Sequence, residues 1–419
     1  MAIGPIQLIR QATPPQRRTL LAAALGWALD AFDAMLYALV LALLIRDFGM
    51  TKAVAGLLGT LTLLASGVGG VLFGFLADRI GRKQALMASI LTYSLCSFAS
   101  GLATSIAILA AARFVLGLGM GGEWNTGATL VAETWPTEFR AKAISLVQSS
   151  WALGFAAAAL VAGPVARYFG WRAVFFVGIL PALLTLWIRR RVPESVMWEH
   201  RRSRGQLDST RGSSGDHGNK VADWVPYVRP TFALLLFNFC GMFAWWGLFT
   251  WMPPYLSLPV SQGGRGFGVV GTTTLLVVLN LLGMFPGYAS FGWVADHLGR
   301  RKASLVYSLA AALLIPLYAA ARSPVLLMAL GTVVAFFGTG MFSGSGIMGS
   351  EIFPTSMRAR GLGFTYNGAR TLSSIAPLVI GRVSETKDLS WAFYLCAAGY
   401  LLAALMTTQL PETKGKFLE

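Results

Sequence analysis

Apolar stretches long enough to cross a bilayer recur along the whole chain, separated by short polar segments or by glycine and proline. About 20 apolar residues in an α-helix span the hydrocarbon core of a membrane. The pattern therefore predicts an all-α membrane protein with twelve transmembrane helices. We place these helices near residues 19–45, 54–77, 84–104, 106–131, 143–168, 172–190, 229–256, 268–294, 302–320, 323–349, 360–383 and 390–410.

One polar segment, residues 191–228, interrupts this pattern. It contains RRSRGQLDSTRGSSGDHGNK, which is too polar and too rich in glycine and serine to build a core of its own. We interpret it as a cytoplasmic linker between an N-terminal six-helix bundle, residues 1–190, and a C-terminal six-helix bundle, residues 229–419.

Three motifs of the first half recur in the second half at a single offset of 218 residues. The pairs are GFLADRIGRK from residue 74 with GWVADHLGRRK from residue 292, ETWPTEFR from 133 with EIFPTSMR from 351, and PES from 193 with PET from 411. A shared offset indicates a parallel duplication of six helices, which relates the two bundles by a pseudo-two-fold axis.

Composition supports a lipid environment, since only 12% of the residues are charged and 55% are hydrophobic, whereas soluble domains carry about 25% charged residues. The net charge of +16 does not indicate nucleic-acid binding, because the 34 Lys and Arg residues are sorted by topology. With the N-terminus in the cytoplasm, 24 lie on cytoplasmic segments, 8 on the opposite side and 2 within helices. That distribution follows the positive-inside rule.

The GFLADRIGRK loop between helices 2 and 3, echoed between helices 8 and 9, resembles the signature loop of the major facilitator superfamily. The resemblance extends over the whole chain. It implies two six-helix bundles around a cavity at mid-membrane, and alternating access by rocking of one bundle against the other.

The charged residues of the repeated motifs lie at cytoplasmic loop edges, where bundle movement makes and breaks contacts. We expect them to act as gating residues, with Glu133 and Arg140, and their repeats, forming ion-pair clusters that lock one state. The alternative is that they only anchor the topology. The set comprises Asp78, Arg82, Glu133, Arg140, Asp296, Arg300, Glu351 and Arg358.

Five ionisable residues within helices have no charged counterpart at the 218-residue offset: Asp30, Asp33, Arg113, Glu123 and Arg370. An ionised group at a helix centre costs roughly 2.5–3.5 kcal/mol or more, so each needs a partner or a function. Gating parts are shared by both halves, whereas these five belong to one half each. We therefore assign them to cargo and protons.

Asp30 and Asp33 lie three residues apart on helix 1 and share a face. By depth, Asp33 is closer to Arg113 on helix 4 and Asp30 is closer to Glu123. We expect Asp30 or Asp33 to carry a proton, with Arg113 as its switch partner. The alternative is a static Asp–Arg pair that holds the helices together. Glu123, in GMGGEW, has the alternative of orienting a glycine-rich helix.

Arg370 on helix 11 has no acid in its own helix before Glu385. A guanidinium next to the amide of Asn367 matches the two oxygens of a carboxylate, so we expect both to bind an anionic substrate. The alternative for Arg370 is a salt bridge across the cavity. Further candidate substrate contacts are Asn280, Trp245 and Gln148.

Three stretches resemble the branch of proton-coupled carboxylate symporters for sialic acid, lactate-type and aromatic acids: LDAFDAMLYALVL, GLGMGGEWNTGATLVAETWP and RARGLGFTYNGAR. Ala31 replaces the glycine of the related D-G-F-D pattern. Gly368 and Ala369 stand in the reverse order to the Y-N-x-G-R pattern. Both departures concern residues beside the expected site and so bear on which substrate is carried.

The function expected from the sequence is proton-coupled symport of a small organic anion, a monocarboxylate or an acidic sugar. The alternative is a proton-coupled antiporter that exports drugs or organic cations. A sensor and an enzyme fit less well, because the linker is too short for a folded domain and no catalytic motif stands in a suitable context. We expect a multi-pass monomer of the cell membrane with both termini cytoplasmic, and no cofactor, metal or nucleic-acid partner. The proton gradient supplies the energy.

Overall fold

A computed structural model describes residues 10–195, 198–199, 203, 226–354 and 361–414, and these residues form helices and no strands. We number the helices α1 Pro14–Phe48, α2 Lys52–Ile80, α3 Arg82–Gly101, α4 Ile106–Thr134, α5 Thr137–Val177, α6 Pro181–Arg191, α7 Val228–Ser257, α8 Val270–Leu298, α9 Arg300–Ala320, α10 Pro324–Ile352 and α12 Leu389–Thr407; α11 consists of the π-helical turn Gly363–Asn367 and the helices Gly368–Ser373 and Ala376–Thr386.

Nine stretches of the described chain are long and apolar enough to cross a membrane. One of them, Lys142–Arg191, contains two crossings, because Gly170 breaks the helix with φ 79° and ψ 173°, a conformation open to glycine. Helices α3 and α11 add two further crossings. The all-α membrane fold predicted from the sequence is thus confirmed, and the arrangement is consistent with twelve crossings.

The repeated motifs make the same contacts in both halves. The guanidinium of Arg82 pairs with Asp78 at 2.9 Å and with Glu133 at 3.2 Å. In the second half Arg300 pairs with Asp296 at 2.8 Å and Glu351 at 3.1 Å. Each cluster ties the end of one helix to the start of the next within its own half. Equivalent geometry at equivalent positions supports the duplication read from the sequence.

The PES and PET motifs cap the helices that follow the signature loops. The Glu194 carboxylate accepts hydrogen bonds from the first two N–H groups of α3, and Glu412 does the same for α9. Although burial opposes the charge, the backbone donors lower the pKa of Glu412 below its ordinary value. Helix N-termini favour an anion at this position.

The predicted gating pair of Glu133 with Arg140 does not form among the described residues. Glu133 is occupied by Arg82, which Asp78 already orients from one turn away, and Nε of Arg140 has no hydrogen-bond partner in this part of the chain. In this structure Arg82, and not Arg140, is the ion-pair partner of Glu133. Arg358 lies outside the described residues, so its pairing stays a prediction.

The two halves meet at the side of the bundle where α1 ends, which we call the distal side. There Nζ of Lys52 donates to the carbonyl oxygens of Gln262 at 2.9 Å and Ser384 at 3.2 Å. Glu385 accepts from the backbone N–H of Ala53 at 2.9 Å. Within the described ranges no ion pair joins the halves. We call these three hydrogen bonds the distal latch, because they join the two halves on this side.

Removing the distal latch in Lys52→Ala/Glu385→Ala should shift the protein toward states open on the distal side. Each charge-assisted hydrogen bond lost is worth roughly 1 kcal/mol at an exposed site, which raises the open fraction about fivefold or more. The readout is the labelling rate of Ala38→Cys, beneath the closure, by a membrane-impermeant maleimide in a background lacking the native cysteines. Arg322→Ala removes an exposed cation from the same side and is the matched control. Equal labelling rates in all three proteins would contradict the latch.

Candidate functional site

A small central cavity lies between the two halves. Its walls come from α1 and α5 of the first half and from α7, α8, α10 and α11 of the second. Both bundles therefore contribute to one site, as expected for a cavity at mid-membrane. The lining residues are Trp27, Gln148, Trp151, Met242, Trp245, Trp246, Tyr288, Phe342, Tyr366 and Arg370.

Aromatic rings form a continuous wall that crosses from one half to the other. Trp27 lies 4.8 Å from Trp151, ring centroid to centroid. Trp151 in turn contacts Trp245 and Trp246 of the second half, each at 6.0 Å. Such tilted and edge-on pairs are the preferred aromatic geometries. The wall presents flat apolar surface, which suits a ligand with a planar body.

Arg370 is the cation of this cavity. Its side chain is 6% exposed, and its Nε and Nη2 have no hydrogen-bond partner among the described residues. No acid within this part of the chain forms an ion pair with it. It interacts electrostatically with Asp30 across the interface between the halves. A buried guanidinium with free donors is what an anionic ligand needs.

Polar groups beside Arg370 complete the lining. The amide of Gln148 lies next to the hydroxyls of Tyr288 and Tyr366, and its Oε1 has no hydrogen-bond partner in the described structure. Tyr366 stands four residues before Arg370, so the two share a face of α11. The cavity thus combines one cation, one amide and two hydroxyls with a mostly aromatic surface.

Three carboxyl groups are buried next to the cavity in the first half. Asp30 and Asp33 are 0% exposed and Glu123 is 1% exposed. Both oxygens of Asp30 and of Glu123 lack hydrogen-bond partners within the described chain, whereas Asp33 accepts from Ser97 at 3.0 Å. Asp30 is close enough to interact electrostatically with both other acids. The acids form one cluster, as the sequence predicted.

Glycines on neighbouring helices make room for two of these carboxyl groups. A Cβ at Gly26 would lie 1.9 Å from Oε1 of Glu123, and a Cβ at Gly178 would lie 2.5 Å from Oδ1 of Asp33. The acids therefore occupy fitted spaces between helices. This fit was not visible in the sequence, because Gly26 and Gly178 resemble other small helix-packing residues.

Arg113 lies next to the acidic cluster and is 2% exposed. Its guanidinium stacks on Tyr37, with Cζ 4.8 Å from the ring centre. Its Nε and Nη1 have no hydrogen-bond partner among the described residues. It interacts electrostatically with Asp33 but forms no salt bridge with it in the described structure. Among the described residues no Asp33–Arg113 salt bridge joins α1 to α4: one oxygen of Asp33 accepts from Ser97, and the guanidinium stacks on Tyr37.

Two predicted substrate contacts, Asn367 and Asn280, do not line the central cavity. Asn367 ends the π-helical turn of α11, and its place beside Arg370 is taken by Tyr366. Asn280 lies in a second π-helical turn, and its amide donates to the carbonyl of Leu276 at 2.8 Å. The prediction for Asn367 assumed regular α-helical spacing, which the π-helical turn breaks. The prediction for Asn280 assumed an amide that faces the cavity, whereas its Nδ2 is bonded within the helix.

The predicted contacts Trp245, Gln148 and Arg370 do lie in the lining, whereas the contributions of Trp27, Trp151 and Phe342 were missed. Aromatic residues in apolar helices carry no signal that separates a cavity wall from a packed core. The one available hint was that all of them stand near the middle of their helices.

The chain matches the family model of the Major Facilitator Superfamily over residues 23–283 and 264–418. It is 34% identical to a probable 4-methylmuconolactone transporter of Cupriavidus pinatubonensis, covering 98% of this chain and 94% of that protein. It is 33% identical to the sialic acid transporter NanX of Escherichia coli, covering 96% of each. The fold resembles the xylose transporter XylE of E. coli in its inward open conformation, with a TM-score of 0.75, 18% identity and coverage of 95% and 97%.

Proposed function

Because this chain belongs to the major facilitator superfamily, we propose that it moves a small organic anion across the membrane by proton-coupled symport. Membership makes it an integral membrane transporter and not an enzyme. We infer its substrate class and its coupling to protons from the buried charges of the central cavity.

The observation that carries the proposal is the unpaired Arg370 in the wall of the central cavity. An uncompensated charge in a site shielded from water is costly. A carboxylate would supply the missing charge and accept two parallel hydrogen bonds from the planar fork. Gln148 and Tyr366 offer further donors at the same level. Arg370 is therefore the anchor of the anion.

The wall of the cavity narrows the substrate class to a monocarboxylate with a planar, unsaturated or aromatic body. Trp27, Trp151, Trp245 and Trp246 contribute aromatic surface, which favours flat apolar groups. An acidic sugar needs hydrogen-bond partners for its many hydroxyl groups. Nε1 of Trp27 and of Trp151 lack partners in the described chain, but most lining residues offer aromatic surface. The relatives named for a muconolactone and for sialic acid show that both kinds of cargo occur in similar proteins.

Proton coupling is assigned to the cluster of Asp30, Asp33 and Glu123. Asp30 interacts with Arg370 across the interface, so the occupant of Arg370 and the charge of Asp30 depend on each other. When a carboxylate binds Arg370, the positive charge of Arg370 no longer stabilises the ionised form of Asp30. Proton binding to Asp30 then becomes favoured. Anion and proton then travel together. Arg113 compensates Asp33 in the same manner once the proton has left.

The rival function, export of organic cations by a proton-coupled antiporter, would use the same acids to hold an amine. Arg370 argues against it, because a cation in the central cavity would stand beside an unpaired guanidinium. Like charges in a site of low dielectric repel strongly. The cavity favours an anion.

We propose an orientation with both termini in the cytoplasm, so that the distal latch faces the outside. The latch is then the outer closure of an alternating-access cycle in which the two halves rock about the cavity. The protein acts as a monomer without a cofactor, and the proton gradient drives accumulation.

Replacing Arg370 with alanine should abolish binding of carboxylates such as benzoate and nicotinate, because the loss of a charge-assisted fork costs roughly 2–3 kcal/mol, a factor of about 30–150. Arg370→Lys should retain part of the affinity, since it keeps the charge and loses the fork. Binding is measured as the ligand-dependent rise in melting temperature of the purified protein. Arg167→Ala, on the distal surface, is the control.

An unchanged affinity for these acids in Arg370→Ala would remove the anion site. A thermal shift with tetraphenylphosphonium that survives in Arg370→Ala, together with no shift by any acid, would favour the cation exporter. N-Acetylneuraminate should shift the wild type less than benzoate does if the aromatic wall selects planar bodies.

Asparagine at Asp30 or Asp33 keeps the shape of the side chain and removes the site for the proton. If Asp30 and Asp33 carry the coupling, each variant should still exchange anion across a proteoliposome membrane but fail to concentrate it under an inward proton gradient. Asp47→Asn, at an exposed pair with Arg172, is the matched control and should concentrate anion normally. Accumulation at the wild-type level in both variants would contradict the assigned carriers.

A further inference from the structure

A second, small cavity lies between the central cavity and the distal latch. Residues of α1, α2, α4, α7 and α11 line it, so it too is shared by both halves. The lining comprises Ala34, Met35, Tyr37, Ala38, Gly59, Thr62, Leu63, Arg113, Met120, Trp246, Thr250 and Pro377.

The two cavities are stacked along the axis of the bundle. On α7 the central cavity uses Met242 and Trp245 and the second cavity uses Thr250, while Trp246 belongs to both. On α11 Arg370 faces the central cavity and Pro377 the second one, seven residues further on, which corresponds to about 10 Å along a helix. Trp246 is thus the partition between two chambers on one path.

Pro377 forms the distal wall of the second cavity. Its carbonyl oxygen accepts a hydrogen bond from Nε1 of Trp251 at 2.9 Å, and a Cβ at Gly56 would come within 2.2 Å of the same oxygen. The backbones of α2 and α11 therefore touch here. Opening of the distal latch would expose the second cavity before the central one.

Arg113 is the charged group of the second cavity. Its Nε and Nη1 lack partners among the described residues, and it is 2% exposed. Thr62 and Thr250 line the same space, although the Thr62 hydroxyl donates to the carbonyl oxygen of Leu58 at 3.0 Å. The ring of Tyr37 covers one face of the guanidinium. The cavity repeats the chemistry of the central site: a buried, free guanidinium beside aromatic and hydroxyl groups.

We propose that the Arg113 cavity is a second carboxylate-binding site, in which the transported anion binds after passing the distal latch and before crossing Trp246 to Arg370. The inference rests on the proposed function, because it assigns this step to the same anion. A carboxylate on Arg113 also occupies the cation that otherwise compensates Asp33. Arrival of the anion is then linked to protonation of Asp33 before the anion reaches the central cavity.

The test counts radiolabelled benzoate bound per molecule of purified full-length protein by equilibrium dialysis in chloride-free buffer. The wild type should bind two at saturation, Arg370→Gln one, Arg113→Gln one and the double variant none. Because Asp33 and Asp30 connect the two arginines electrostatically, a single variant should change the affinity of the remaining site but not its occupancy at saturation. Ala38→Leu fills the second cavity without changing its charge, and it should also bind one.

Loss of binding in Arg370→Gln alone, with Arg113→Gln and Ala38→Leu both equal to the wild type, would overturn the second site and leave the proposed function intact. Wild-type binding in every variant would overturn both. A third arm repeats the titration with chloride. If chloride fills the Arg113 site and benzoate does not, the cavity takes inorganic anions, which contradicts its place on the substrate path.

Discussion

The central physical constraint on this protein is the free-energy cost of keeping an ionised side chain away from water. Asp30, Asp33, Glu123, Arg113 and Arg370 are all nearly or fully buried, and most of their polar atoms have no hydrogen-bond partner in the described structure. Such groups are stable only when something compensates them. Where the protein does not supply that compensation, a proton or a ligand must. The electrostatic interaction of Asp30 with Arg370 links the two kinds of compensation across the interface between the halves.

A second set of charged residues differs from the first because its members are paired with one another. Arg82 and Arg300 are held by two acids each, at equivalent positions of the two halves, and Glu194 and Glu412 cap the helices behind them. These groups satisfy one another and tie each half into a rigid unit. Satisfied, duplicated charges lie within each half, and unsatisfied, unduplicated charges lie near the interface between them. In the proposed cycle, that division places the chemistry where rocking of the halves would change access to water.

The sequence was sufficient for the helices, the duplication and the buried charges, because each depends on length, offset or charge within an apolar stretch. It was insufficient where geometry departs from the regular α-helix. The π-helical turns at Leu279–Met284 and Gly363–Asn367 exclude Asn280 and Asn367 from the lining. Trp27 and Trp151 were missed, because the sequence does not distinguish a tryptophan in a packed core from one in a cavity wall. The pairing of Glu133 with Arg82 instead of Arg140 depends on orientation that only the fold supplies.

In the proposed function, binding of the anion and binding of the proton to the same protein depend on each other. The most direct measurement is the number of protons taken up when benzoate is added to purified protein in weakly buffered solution, followed with a pH-sensitive dye between pH 5 and 8. Linkage between Arg370 and Asp30 predicts net proton uptake on binding, reduced in Asp30→Asn. Saturable benzoate binding without any proton uptake across that range would contradict it.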